Sequence, residues 1–209
     1  ATSGDLTITS ASGALTIADA KTFTSAGVVT INSQSVSSAA ATITSVGLIT
    51  ISGAWTATGA VSLTSSANGV TLNNDVTLGG TGKNLVIQAK TADNAGTITL
   101  AHATQSLAAS GGITLTGHTM ATTQATITAN AALAMTITGT CTATSGTLAL
   151  VSTTSTINVD GDLTTATSGD LTITSASGAL TIEDAKTFTS AGVVTINSQS
   201  VSSAAATIT

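Results

Sequence analysis

Residues 1–44 return at 166–209 with 43 of 44 positions identical, the one difference being Ala18 against Glu183. A chain that repeats itself at a fixed period of 165 residues is constrained to folds in which copies stack on one another, because self-similarity is the signature of repeat architectures. The second copy breaks off partway, so the expectation is a window on a longer tandem array. One full repeat then occupies 1–165 and the start of the next occupies 166–209, joined as a continuous rod without a linker.

A shorter and looser period runs inside the long one. Its recurring phrase sets small polar residues around an inward aliphatic: LTIT, ALTI, VVTI, ATIT, LITI, VSLT, TITL, MTIT. Apolar and polar residues alternating over four or five positions mark a strand, and Thr, Val and Ile suit strands. SASG, SSANG and LGGTGKN lie between such phrases and read as turns. No segment carries an apolar stripe at helical spacing for three turns, so the chain is read as nearly all β.

The phrases can be laid in register. Ile8, Ile31, Ile51, Leu72, Ile98, Leu115, Ile137, Ile157 and Ile173 form one series of equivalent inward positions. Ile17, Ile43, Leu63, Ile87, Leu107, Ile127, Leu148, Leu163 and Ile182 form a second. Each takes eight steps over the long period. A third stretch containing Phe23, Trp55 and Leu78 is available for another side. The predicted fold is a parallel β-helix, or β-solenoid, of about 20–21 residues per coil and about eight coils per 165-residue repeat. Absent Pro agrees, since every interior strand needs its N–H groups for the ladder.

Composition narrows function by exclusion. Thr (47), Ala (36), Ser (26) and Gly (20) fill more than half of the chain, and there is no Arg, Tyr or Pro. With 1% aromatic residues and four lysines against a net charge of −5, nucleic acid is not an expected partner: stacking platforms and phosphate-neutralising cations are both missing. No run of 20 apolar residues is available for a membrane helix, and a transmembrane barrel would carry aromatic girdles that are not here, so membrane insertion is not expected.

The remaining motifs read as structure. LGGTGKNLVI at 78–87 approaches a calcium-binding nonapeptide, but Asn84 stands in place of its Asp and no adjacent copy completes the ligands. Asp160 and Asp162, with Asp170 eight residues on, read as turn residues rather than a calcium loop. Cys141 is the only cysteine, and His102 and His118 have no acidic neighbour in sequence. Neither catalytic residues nor a cofactor or metal site is predicted, and an enzyme is not expected.

The feature with functional content is a column of outward threonines preceding the first inward series: Thr7, Thr30, Thr50, Thr71, Thr97, Thr114, Thr136 and Thr156. Stacked Thr is a favourable exposed strand residue. A flat face of Thr-x-Thr ladders also resembles the ice-binding face of β-solenoid antifreeze proteins, which makes ice binding the alternative function.

Phrases such as SGDLTITSASGALTI, AGTITLAHATQSLAASGGITLTG and VVTINSQSVSSAA resemble the repeats of filamentous haemagglutinin-like giant surface proteins of bacteria. That resemblance covers the whole chain in composition and coil length. It implies a right-handed parallel β-helical rod, exported and displayed extracellularly at the bacterial cell surface as a structural or adhesive fibre. The expected partners are then the chain itself, laterally or end to end in filaments, and surfaces, glycans or other cells. The resemblance carries over no site residue and no cofactor.

Overall fold

The computed structural model describes residues 4–18, 20–89, 96–129 and 133–209. They form 22 strands, every pairing among them parallel, and no helix. Each strand lies beside its counterpart one turn along, so the chain winds as a β-solenoid.

Each turn has three faces. The first turn places 6–10, 14–17 and 21–25 on successive faces, and the second stacks 29–33, 35–38 and 41–45 directly on them. Strands that run through a corner carry two faces; Leu6–Ile17 serves the first and second, and Ile113–Thr122 the third face of one turn and the first of the next. Nine turns are completed, and Ala206–Ile208 begins a tenth on the first face. At roughly 4.8 Å between neighbouring strands the ladder extends about 43 Å.

The interior is a set of stacked apolar columns. On the third face Phe23, Ile43, Leu63, Ile87, Leu115, Ile137, Val159 and Ile182 lie one above another. Trp55, fully buried on the second face, lies between Val36 and Val76 and donates its indole N–H to Ser38 Oγ at 2.8 Å. Smaller side chains above and below leave room for the indole, and the serine satisfies its one donor. The sequence anticipates a third side holding Phe23, Trp55 and Leu78. The third side exists, but Phe23 lies on the third face while Trp55 and Leu78 share the second.

The turn is longer than the sequence spacing predicts. Leu6 lies on the first face, whereas Leu171, the same residue of the repeat one period later, lies on the second. The 165-residue period therefore spans seven turns and one further face, about 22 residues per turn, instead of eight coils of 20–21. The physical reason is that turns vary in length while the faces stay in register: Val29 to Ile49 closes a turn in 20 residues, whereas Val70 to Ile98 and Leu85 to Ile113 each take 28. Both inward series drift from face to face for the same reason. Ile8, Ile31, Ile51 and Leu72 do stack, but Ile98 pairs with Val70, Leu115 with Ile87, and Ile173 with Leu150.

The corners tolerate the shift because they are equivalent. Between the third and first faces, Ser25 Oγ donates to Gly4 O (2.8 Å), Gly27 N donates to Ser25 Oγ (3.1 Å) and Val28 N to Asp5 Oδ1 (2.8 Å). The second copy makes the same three bonds between the first and second faces: Ser190 Oγ to Gly169 O, Gly192 N to Ser190 Oγ, and Val193 N to Asp170 Oδ1. The ladder also passes from one copy to the next without interruption, 163–165 lying under 188–190.

Disulfide trapping reads this one-face shift directly. Thr164 and Thr189 are cross-strand neighbours on the first face, at a separation a disulfide can span. In a Cys141→Ser background, the Thr164→Cys/Thr189→Cys pair is expected to close on mild oxidation. Asn158→Cys/Thr187→Cys, the pair an unshifted repeat would bring together, is expected to stay reduced.

Candidate functional site: an outward threonine column

Between the two inward positions of each first-face strand stands one outward residue. From the first turn to the ninth it is Thr7, Thr30, Thr50, Thr71, Thr99, Ala121, Thr142, Thr164 and Thr189. Threonine occupies eight of these nine rungs, so methyls and hydroxyls repeat every ~4.8 Å along the rod. In the middle turns a second column runs beside it, Thr97, Thr119 and Thr140, displaced two residues along the strand. Thr97 Oγ1 and Thr119 Oγ1 are hydrogen-bonded to each other at 3.0 Å. Ala121 lies in a shallow depression of about 330 Å³, bordered by Thr99, Thr122 and Thr144.

The eight threonines singled out from the sequence fall into separate places. Thr7, Thr30, Thr50 and Thr71 form the lower half of this column. Thr97 belongs to the neighbouring one. Thr114 and Thr136 stack on each other on the third face, in line with Thr22, Thr42, Ser62, Val86 and Asn158. Thr156 lies in a corner, its carbonyl accepting Met135 N. Thr99, Thr142, Thr164 and Thr189 continue the first-face column and were not singled out. The phrase TITL at 97–100 offers two threonines around one isoleucine, and only the register with Leu72 chooses between them.

Other chemically capable groups serve the corners. Asp75 and Asp162 accept the backbone N–H of Ser106 and Thr187 one turn on, as Asp5 and Asp170 do. Asn84 Oδ1 accepts Gly112 N, which gives the LGGTGKN segment a turn function, with Gly80 and Gly82 at positive φ. Lys186 Nζ lies 3.0 Å from Asp160 Oδ1, and that hydrogen bond, helped by the charges of Asp160, Asp162 and Glu183, raises the lysine above its ordinary range. His118, Asp160, Asp162 and Lys186 border a notch of about 280 Å³ where Gly117, Gly139 and Gly161 stack. His102 Nδ1 lies 3.7 Å from Asp75. Among the described residues no three His, Cys, Asp or Glu side chains are grouped so as to hold a metal ion.

Cys141 is enclosed in the first-face core between Met120 and Leu163. Burial pushes its thiol up to about 12, so the protonated form is held in the folded state. A group whose folded pKa is raised contributes stability below its unfolded value and loses it as pH climbs to the folded one. Folding stability is therefore expected to fall by about 1.4 kcal/mol per pH unit above roughly pH 9. Cys141→Ser should remove that part of the slope, measured as urea midpoints followed by Trp55 emission. Native Cys141 should also resist iodoacetamide until the rod unfolds.

Comparison with protein-family models, with curated proteins and with solved structures returns no match to this chain.

Proposed function

We propose that this chain is a structural and adhesive rod, a stretch of a long repetitive fibre at the bacterial cell surface, of the filamentous haemagglutinin-like kind that its repeats resemble. One observation carries the reading: the parallel ladder and its buried columns continue through nine turns and across the junction of two repeat copies without interruption. The mechanism is mechanical. Axial stiffness comes from the stacked strands, and the sparsely charged hydroxyl coat leaves the flanks free to lie against other rods, glycans or cell surfaces. No catalytic step or cofactor enters. Immunogold labelling of intact source cells with antibody to this chain is expected to decorate projecting rods. Labelling confined to the cytoplasm would overturn the reading.

A second reading, ice binding, is favoured by the eight threonines in nine first-face rungs. On that reading Thr99→Tyr with Thr142→Tyr, which disturb the column at its middle, should abolish thermal hysteresis while leaving the far-UV circular dichroism unchanged. Hysteresis equal to that of the unsubstituted protein would remove the column from consideration.

A further inference from the structure

The turn SSANG at 65–69 holds a reactive pair that the packing of the rod forces on it. Of the nine asparagines in the chain, Asn68 is the one followed by glycine. It stands exposed at the corner between the third and first faces, after Val61–Ser65 and before Val70–Leu72. The neighbouring turn dictates the glycine, because a Cβ on Gly69 would collide with Thr97 O. From the other side the Gly69 carbonyl accepts Ile49 N at 3.0 Å, and within the corner Asn68 N donates to Ser65 Oγ at 3.2 Å.

An asparagine carboxamide next to a glycine amide can close on itself. The backbone nitrogen of Gly69, after giving its proton to hydroxide, attacks Asn68 Cγ. A C–N bond forms there, the Cγ–Nδ2 bond breaks, and ammonia leaves a five-membered succinimide. Water then adds to one or other ring carbonyl and opens the ring to aspartate or to isoaspartate, in which the backbone runs through the side chain. The attack is intramolecular, so its rate follows how readily the two groups meet. Glycine puts no side chain in the way, and a corner is not held in the extended ladder.

The other described asparagines are placed differently. Asn32 and Asn197 are also exposed, but both lie inside strands, paired with Thr9 and Thr174, and both precede a serine. Asn74 Nδ2 donates to Ser52 O at 3.0 Å, and Asn84 Oδ1 accepts Gly112 N at 3.0 Å. Asn73 and Asn158 are half-buried and precede residues with side chains.

We propose that Asn68 is a site of spontaneous deamidation, the described asparagine at which the folded rod converts itself to aspartate and isoaspartate with water as the only co-reactant. Asn68 borders a depression of about 410 Å³ together with Thr71, Thr97 and Thr99. The new carboxylate therefore lies beside the first-face threonine column and places a negative charge at the edge of a hydroxyl surface. This modification is independent of what the rod binds and of where it is displayed.

The folded 209-residue chain, incubated in mildly alkaline buffer and sampled over time, is read by peptide sequencing in the mass spectrometer. Asn68 is expected to convert before any other described asparagine, about ten times faster than Asn32 or Asn197. Isoaspartate at this position is confirmed by methylation with an isoaspartyl methyltransferase and a labelled methyl donor. Asn68→Gln, whose longer side chain must close a six-membered ring, should keep its amide over the same period. Far-UV circular dichroism and Trp55 emission confirm that the variant is folded. A folded chain in which Asn68 keeps its amide overturns the proposal. So do Asn32 or Asn197 converting as fast as Asn68, and an Asn68→Gln chain that deamidates at this position as fast as the unsubstituted one.

Discussion

Every turn of this solenoid is held by the turn beside it, through a parallel backbone ladder that forces each side chain to lie between its counterparts at about 4.8 Å. That single constraint selects the composition. A charge placed on a column faces whatever its neighbours one rung away carry, and like charges at that spacing repel. Charged residues make up 6% of the chain, and several are tied to a neighbouring turn, among them Lys186 by Asp160 and Asp162 by the amide of Thr187. Outward positions are filled by Thr and Ser, which stack on their own kind and can bond along the column, as Thr97 and Thr119 do.

Corners meet the same constraint in another way. Where the chain bends, successive turns approach closely, and there the small residues collect. Gly139 has φ +107, and a Cβ built on it would collide with Gly117 O one turn below. Gly161 stands in the same relation to Gly139. Asp and Asn side chains then take up corner amides that the ladder leaves over, at Val28, Ser106, Gly112, Thr187 and Val193. Backbone donors are thus paired around the bend as well as along the faces.

The fold was legible in the sequence because alternation and the repeat period are both local signals. The columns were legible only as far as Leu72. Up to that point each strand phrase follows the last at a near-constant interval, so counting residues keeps to one face. Beyond it, Leu72 pairs with Leu100 while Ile98 pairs with Val70, a two-residue choice that composition cannot make. Every face carries the same kind of phrase, so a misplaced step leads to a plausible strand on the wrong face. Residue counting places Thr114 and Thr136 in one column with Thr7 for this reason, although the pairing puts them on the third face. The corner bonds of Asp162 and Asp170 were equally hidden, since their partners lie 25 and 23 residues away.

The ambiguity that misleads residue counting is also a property of the molecule. The segment LTITSASGALTI forms the first and second faces at 6–17 and the second and third at 171–182. Phe23 belongs to the third face, and its copy Phe188 fills the first, stacked on Leu163. A repeat whose length is not a whole number of turns can be built only if all three faces accept all of its phrases. Interchangeable phrases and a rotating repeat are therefore one constraint seen twice. The first-face column shows the consequence at the surface: Thr7 comes from the LTITS phrase and Thr189 from the KTFTS phrase, yet both stand on the same line because each phrase carries Thr at its outward position. Continuity of that surface along the rod does not depend on which part of the repeat supplies it.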